Sequence, residues 1–510
     1  MRYELAESSP LSKHPSGGAG FGESRKGTKP PRSPKTLEPI DAKLQPGLAL
    51  KVARKIQVAD QFLREGKLKE AEQCYRSLIK ARTIDRSVYT NLGVICGYQK
   101  RFAEMERWLL LALQVGDTTP AVLNNLGVAL REQDRLEEAL QSFREGLKLD
   151  PKDPDLQLNL ACALSETGDL QEAADLFAAV VATRPHNAMA HANFGRCLLM
   201  MGKYERGWEE NEWRLHTPIY KDDQLPPGLP SLEPGQSVER LLLWREQGVG
   251  DQVLFCSLLG AARRLAPTLQ VRVDHRLVPL LARSFPTVSM AASGVEREPI
   301  ATLEESWDAQ LALGSLPLHL DPHWKGAAQQ GGAFLKADAT RCQELRRALA
   351  PAKGLLCGIS WHSNGQRGQE KSIALPQLAE ALAMPGVQLV SLQYGNWAAQ
   401  IAAEPLVMPP PAGLDPTEDL DGLAALIASC DLVVSISNTT VHLAGGLGVP
   451  TWVLVQSTPD WRWGMEGERC LWYDSVRLFR QRVAGDWAPV LERVREALRE
   501  QVEGTPAPSP

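Results

Sequence analysis

Three polar loops, each directly after an apolar run, carry the residues that could do chemistry. The first is REQGVGDQ (245–252), in which Gly248 and Gly250 permit a tight turn and close approach of the backbone. Asp251 falls in the expected first turn of the next helix, where a carboxylate can act as general base for an acceptor hydroxyl. Glu246 is a competing candidate for that role. Asp251 could equally be an ordinary helix N-cap.

A second loop, SISNTTVHLAGGLGVP, joins a predicted strand to a predicted helix. Ser437 or Asn438 would cap this helix, and its first turn would offer the N–H groups of Thr439 and Thr440. A helix start with free N–H groups and hydroxyls favours an anion, so we expect a phosphate site here. His442 lies one turn further on, and it either belongs to this site or is a core or capping residue.

The third loop, WHSNGQRGQEKSIAL (361–375), is polar and contains glycine. Lys371 in this loop is placed to contact phosphate, although a solvated surface lysine is the alternative. The three loops together give a candidate donor site and a candidate cleft around it. The donor site would use Lys371, Ser437, Asn438, Thr439, Thr440 and His442, and the cleft Glu246, Gln247, Gly248, Gly250, Trp361, Ser363 and Asn364.

The sequence favours neither a metal site nor a tightly bound cofactor. No set of His, Cys and carboxylate residues has convincing metal-ligand spacing. Asp419 and Asp421 match a D-x-D metal motif, but they stand just before the helical pattern LAALIAS, so we interpret Asp421 as an N-cap. GVGDQ fails the G-x-G-x-x-G pattern, which argues against a nicotinamide cofactor.

These loops are expected at the edges of parallel sheets, because short apolar strands alternate with helical patterns from residue 237 onward. In such sheets ligands bind at the carboxyl ends of the strands. We predict one α/β domain over 237–350 and a second over 351–504 that includes a terminal helix. Strands are predicted at 241–244, 271–275, 355–361, 387–393, 432–437 and 451–456, with an apolar run at 308–313, and helices at 250–265, 276–285, 375–384, 397–404, 420–429, 439–448 and 486–503.

A repeat precedes the α/β region. Four dipeptides recur at steps of 34 residues, and a second small residue follows twelve positions after three of them. Small residues at these positions let the two helices of a hairpin approach closely. The pattern resembles the tetratricopeptide family and predicts about five repeats over 50–217, with a concave surface for a protein or peptide. We expect Trp208 and Trp213 to cover the last hairpin or to dock it on the next domain.

The remaining segments and the composition set limits on function. Residues 1–49 are rich in Ser, Pro, Gly and basic residues and are predicted to be disordered, as is the tail 505–510; 218–236 is a predicted linker. The net charge of −5 argues against nucleic-acid binding. No apolar run is long enough to span a membrane. Nine isolated cysteines and no apolar signal segment favour a cytoplasmic location.

The loop motifs, with DWRWG and RLFRQ near the end of the chain, resemble a bacterial family of tetratricopeptide glycosyltransferases. Its catalytic half is similar to the heptosyltransferases of glycosyltransferase family 9, which have the GT-B fold of two Rossmann-like domains. The resemblance implies that Asp251 is the base and that Lys371, Asn438, Thr439 and His442 hold the donor. Asn438 departs from the aspartate that many relatives carry. No acidic residue follows VSLQ, where Gln393 begins a segment without one.

The resemblance therefore implies an inverting, metal-independent transfer of a hexosyl or heptosyl group from a nucleotide-sugar to an acceptor hydroxyl. The order of repeats followed by transferase also resembles that of protein O-GlcNAc transferases, which suggests a protein acceptor recruited by the repeats. The alternative is a protein-interaction scaffold with a catalytically silent GT-B domain.

Overall fold

The computed structural model describes residues 46–81, 85–218, 228–293, 306–321, 332–349, 354–364 and 368–504. Most of the predicted leader (1–45), the tail 505–510 and part of the linker (219–227) lie outside this description. The chain divides into two compact units, residues 1–190 and 191–510. Within the described residues, no helix is both long and apolar enough to cross a membrane.

The described residues of the first unit form four helical hairpins. Gly127 shows why the repeat needs small residues, since a Cβ there would lie 2.4 Å from the ring of Phe143 on the partner helix. Gly93 approaches Leu109 in the same way, at 2.9 Å. The predicted close packing within each hairpin is thus confirmed at these positions. The eight helices are α1 (Pro46–Arg64), α2 (Leu68–Lys80), α3 (Arg86–Tyr98), α4 (Phe102–Gln114), α5 (Pro120–Arg131), α6 (Leu136–Leu149), α7 (Pro154–Thr167) and α8 (Leu170–Thr183).

A fifth hairpin, α9 (Ala188–Met200) and α10 (Tyr204–Asn211), lies almost wholly in the second unit. Gly195 lets the two helices touch, because a Cβ there would lie 2.4 Å from the backbone nitrogen of Asn211. A 3-10 turn, Glu212–His216, follows. The boundary between the compact units therefore falls in the first turn of α9, whereas the sequence suggested one at the linker after residue 217.

The second unit continues with a parallel sheet of four described strands in the order β3-β2-β1-β4. A single helix was expected over 250–265, but the structure has two shorter ones separated at Ser257 and Leu258. The elements are β1 (Arg240–Trp244), α11 (Val249–Cys256), α12 (Leu259–Ala262), β2 (Thr268–Asp274), α13 (Val278–Ser284), β3 (Ser289–Ser293), β4 (Ala309–Ala312) and α14 (Leu316–Leu320).

Part of the predicted linker belongs to this sheet region. Leu232 donates its N–H to the carbonyl of Gln310 at 2.9 Å, and the Gln310 N–H bonds the carbonyl of Pro230 at 2.9 Å. Ser231 forms a parallel bridge with Gln310 on β4. The described linker residues, 228–236, therefore extend the edge of the sheet over a short stretch.

A second parallel sheet has the described order β10-β9-β8-β5-β6-β7. Its central strands are fully buried, as their continuous apolar runs predict. The expected parallel sheets are thus confirmed. The elements are α15 (Ala339–Leu349), β5 (Leu355–Ser360), α16 (Gly368–Lys371), α17 (Leu375–Leu382), β6 (Val387–Ser391), α18 (Ala398–Ala402), β7 (Val407–Met408), α19 (Leu420–Ala428), β8 (Leu432–Ile436), α20 (Thr439–Leu447), β9 (Thr451–Val455), β10 (Val476–Arg480) and α21 (Ala488–Gly504).

Candidate functional site

Asp251 lies in the first turn of α11, directly after the carboxyl end of β1. Gly248 occupies the N-cap position, and no side chain caps this helix. The N-cap interpretation of Asp251 is therefore wrong. The side chain of Asp251 is 21% exposed, and its Oδ1 accepts a hydrogen bond from Nη2 of Arg462. The carboxylate is thus partly accessible and held by one cation.

Arg462 lies beside the candidate base, and the sequence analysis did not single it out. It lies in a 3-10 turn, Trp461–Trp463, after β9, and it also pairs with Asp460. The two carboxylates raise the pKa of the Arg462 guanidinium, outweighing its burial. Burial alone would raise the pKa of Asp460, but the charges of Arg462, Lys371 and Arg196 lower it below its usual range. In the sequence, the only feature that could have indicated Arg462 is its place between two tryptophans in the motif DWRW.

The starts of α11 and α20 meet, although almost 190 residues separate them in sequence. A Cβ at Gly250 would lie 2.8 Å from Cδ2 of His442 and 3.6 Å from Cα of Thr439. Glycine is therefore required for this approach. The contact brings Asp251, which follows the carboxyl end of β1 in the first sheet, next to the predicted anion site, which follows the carboxyl end of β8 in the second sheet.

His442 is buried, and three neighbours define its state. Its Nδ1 lies 3.0 Å from the Tyr473 hydroxyl, and its ring stacks on Trp463 at a centroid distance of 5.5 Å. Burial and the charge of Arg462 lower the pKa of His442 to about 3, so the ring is neutral near pH 7. Burial keeps the Tyr473 hydroxyl protonated by raising its pKa. If that hydroxyl donates to Nδ1, the Nε2–H of His442 is left as a donor.

Asn438 caps α20, because its Oδ1 accepts the N–H of Thr440 at 3.0 Å. Its Nδ2 donates to Oγ of Ser360 at 2.7 Å and to the carbonyl of His362 at 3.3 Å. Both ends of the amide are thus used, and the nitrogen end faces acceptors. An aspartate could not make these donations, which explains the departure from the family pattern in terms of local structure.

Gln393 ends the motif VSLQ, after which the resembled family would have an acidic residue that this chain lacks. Its Oε1 accepts three hydrogen bonds, from the Ser360 hydroxyl at 3.0 Å and from the N–H groups of Trp361 and His362 at 2.9 Å. Its Nε2 donates to the carbonyls of His362 and Tyr394. The amide therefore ties the ends of β5 and β6 together and is not directed at a ligand.

The first turn of α20 contains an unusual buried hydroxyl. Among the described residues, Oγ1 of Thr440 is buried without a hydrogen-bond partner. A buried donor without a partner is costly, so a hydroxyl in this position is a candidate for ligand binding. Thr439 forms hydrogen bonds with Tyr394, whose pKa is raised by burial. Ser437 accepts the indole N–H of Trp463 at 2.8 Å and so fixes the ring beneath His442.

The loop after β5 contributes one charge to the site. Lys371 ends α16, and its positive charge lowers the pKa values of both His442 and Asp460. Trp361 is buried and donates its Nε1–H to Gln400 at 3.1 Å, so it belongs to the core and not to the cleft surface. The N–H of Ser363 bonds the Ser372 hydroxyl, and Asn364 is exposed.

Glu246 does not fit the role of general base. It is only 3% exposed, and its Oε1 pairs with Arg214 at 3.0 Å while accepting the Gly314 N–H at 3.1 Å. Gln247 donates to the same oxygen at 2.9 Å. Burial raises the pKa of Glu246 despite the arginine. This carboxylate is a fixed structural group, which leaves Asp251 as the accessible one in the loop.

The two aspartates of the D-x-D sequence also have structural roles. Asp419, and not Asp421 as predicted, caps α19 by accepting the N–H of Gly422 at 2.7 Å. Asp419 pairs with Arg341 and Asp421 with Arg283. In the described part of the chain, no group of three or more His, Cys, Asp or Glu residues is arranged to hold a metal ion.

Comparison with protein families finds tetratricopeptide repeats in the chain. Three models described as Tetratricopeptide repeat match residues 120–153, 142–174 and 164–207. The predicted repeats are thus confirmed, and they support a role in protein interaction. Solved structures are similar to about a third of the chain. YrrB, described as a TPR protein with an unusual peptide-binding site, is 20% identical over 33% of this chain and 90% of YrrB, with a TM-score of 0.29. MamA is 15% identical over 36% of this chain and 100% of MamA (TM-score 0.30), and PilW, a type IV pilus biogenesis factor, is 18% identical over 34% of this chain and 80% of PilW (TM-score 0.31).

A curated relative covers more of the chain. Protein FlbA of Caulobacter vibrioides is 33% identical over 334 residues, a match that covers 61% of this chain and 55% of FlbA. The chain thus spans about half the length of this relative. Because 61% of the chain exceeds both the 217 residues up to Thr217 and the 293 residues after it, the match includes residues on both sides of Thr217.

Proposed function

We propose that this chain is an inverting, metal-independent GT-B glycosyltransferase that uses a nucleotide-sugar donor. The observation that carries the proposal is the meeting of α11 and α20 at Gly250 and His442, which brings an accessible carboxylate to the start of a helix. Two parallel sheets with facing strand-end helices are what a GT-B cleft requires. The repeats would recruit a protein that carries or accompanies the acceptor.

In the proposed reaction, the acceptor hydroxyl attacks the anomeric carbon of the donor from the side opposite the phosphate. Asp251 takes the hydroxyl proton as the new carbon–oxygen bond forms. The bond between the anomeric carbon and the phosphate oxygen breaks, and its electron pair leaves with the nucleoside diphosphate. The anomeric configuration is therefore inverted, and no covalent enzyme intermediate forms.

The start of α20 would stabilise the departing diphosphate. The buried hydroxyl of Thr440 and the positive charge of Lys371 are both suited to an anion. The N–H of Thr440, which the sequence analysis expected to be available, is already bonded to Oδ1 of Asn438. Neutral His442 would donate a hydrogen bond through Nε2. Arg462 holds the carboxylate of Asp251 in place through their ion pair, and a diphosphate near Arg462 would compete for the guanidinium and release the carboxylate toward the acceptor.

The proposal is tested by transfer or hydrolysis assays with a panel of nucleotide sugars. We expect Asp251→Asn to lower kcat by about 10²- to 10⁴-fold, the usual contribution of a general base, while nucleotide binding is retained. Asp153→Asn is the matched control, because Asp153 caps α7 in the first unit by accepting the N–H groups of Asp155 and Leu156. Unchanged activity in Asp251→Asn would refute the assigned role.

A protein-interaction scaffold with a silent transferase domain is the second candidate. It is favoured by Asn438, an amide where many members of the resembled family carry an acid, and by the absence of an acidic residue from Gln393 to Trp397. The amides of Asn438 and Gln393 both bond within the protein. Under this alternative, the wild-type chain would turn over no nucleotide sugar and no nucleotide would raise its melting temperature. Either activity or such a rise would reject it.

A further inference from the structure

The fifth hairpin reaches the candidate site through aromatic contacts. Trp208 on α10 is 1% exposed and packs edge-on against Trp461, with ring centroids 5.2 Å apart and planes at 86°. Trp461 in turn lies under the guanidinium of Arg462, 4.6 Å from ring centroid to Cζ. Phe255, one turn after Asp251 on α11, stacks on the same indole at 6.3 Å. Trp461 thus connects the hairpin directly to Arg462 and, through Phe255, to the helix that carries Asp251.

A buried ion pair forms a second connection between the fifth hairpin and the candidate site. Arg214, in the turn after α10, is 4% exposed and bonds Oε1 of Glu246 at 3.0 Å and the Ser315 hydroxyl at 2.9 Å. Glu246 lies two residues after β1 and two before Gly248, so it fixes the loop from which α11 starts. A Cβ on Gly314 would lie 2.3 Å from Oε1 of Glu246, which shows how closely the network is packed.

The two connections end on the same pair of charged groups. The aromatic connection fixes Arg462, and the ionic connection fixes the loop that presents Asp251. Catalysis depends on geometry at this scale, because a displacement of about 1 Å caused from a distance can cost roughly 10²-fold in rate. The hairpin is therefore placed to control how the carboxylate is presented to an acceptor.

We propose that the fifth hairpin is a positioning element for Asp251, acting through Trp208 on one side and Arg214 on the other. This inference rests on the proposed transferase function and deepens it. It means that the last repeat belongs functionally to the catalytic unit, while the preceding four hairpins are free to serve recruitment.

The test compares Trp208→Leu with Trp213→Leu in steady-state kinetics of the full chain. Trp213 is a tryptophan in the following turn that stacks on His191 at 4.2 Å, so its replacement is a matched loss of ring area in the same hairpin region. We expect Trp208→Leu to lower kcat by roughly 10- to 100-fold without changing KM for the donor. Trp208→Phe, which retains an aromatic edge, should recover most of the rate, and Trp213→Leu should keep it.

Arg214→Lys is a second variant in case Trp208→Leu does not fold. It keeps the charge but loses the planar fork that bonds Glu246 and Ser315, so it should also lower kcat at constant donor KM. Wild-type kcat in folded Trp208→Leu and in Arg214→Lys, or equal losses in Trp208→Leu and Trp213→Leu, would overturn the inference. A wild-type chain without turnover or nucleotide binding would instead refute the proposed function.

Discussion

At the scale of single residues, two buried amide side chains hold together the strand ends beside the candidate site. Asn438 and Gln393 both use their amide nitrogens to bond carbonyl groups at the ends of the strands. The sequence identified these two departures but could not explain them, because the reason is the carbonyl of His362, which both amides contact. Arg462 was also beyond prediction, since its partner Asp251 is distant in sequence.

The Asn438 amide can be tested by replacing it with a carboxylate. Asn438→Asp removes the two hydrogen bonds that Nδ2 donates and places an oxygen opposite the His362 carbonyl. We therefore expect the free energy of unfolding to fall by about 1–3 kcal/mol at neutral pH. The loss should shrink as the pH falls toward about 4, because a protonated carboxyl group can donate again. Calorimetric melting between pH 4 and pH 8 measures it.

The control is Asn396→Asp, which changes an exposed amide in the same domain. It introduces the same charge without a buried contact and should leave the melting temperature almost unchanged. A melting temperature for Asn438→Asp equal to that of the wild type at pH 8 would show that the amide donations contribute nothing.

At the scale of secondary structure, the site depends on two helix starts that touch. Most strands and helices of the α/β region follow from apolar periodicity, including β1, β8 and α20, which position the site. The sequence analysis did not identify β3, β7 and β10. β3 is mostly serine and alanine, β7 has only two residues, and β10 is interrupted by Arg477 and Arg480, so none shows a long continuous apolar run. The contact between α11 and α20 could not be predicted, because it depends on how two sheets face each other.

Gly250→Ala tests that contact. The added Cβ would lie 2.8 Å from Cδ2 of the buried His442 ring, so either α11 or His442 must shift. We expect a loss of roughly 1–3 kcal/mol in stability and a lower kcat, since Asp251 adjoins the strained residue. Gly248→Ala is the matched control in the same loop, where the nearest atom to an added Cβ is Oδ2 of Asp251 at 3.6 Å, an ordinary contact. Equal effects of the two substitutions would show that the helix contact is not tight.

At the scale of the whole molecule, the sequence predicted helical repeats followed by parallel sheets, and both are present. The 34-residue period and the apolar strands are strong local signals, which is why these features could be read without a structure. The division of the chain could not be read in this way. The fifth hairpin carries the repeat pattern, yet its contacts through Trp208 and Arg214 are with the α/β region.

The central claim is that the start of α20 binds the diphosphate of a nucleotide. The most direct test is the melting temperature of the full chain with UDP, GDP or ADP in the presence of a chelator. We predict that one nucleotide raises it, with a stabilisation of about 2.7 kcal/mol at a concentration 100 times the Kd. The rise should be much smaller in Lys371→Ala and retained in Lys336→Ala, which removes an exposed lysine. No rise with any of the nucleotides, or an equal rise in Lys371→Ala, would contradict the claim.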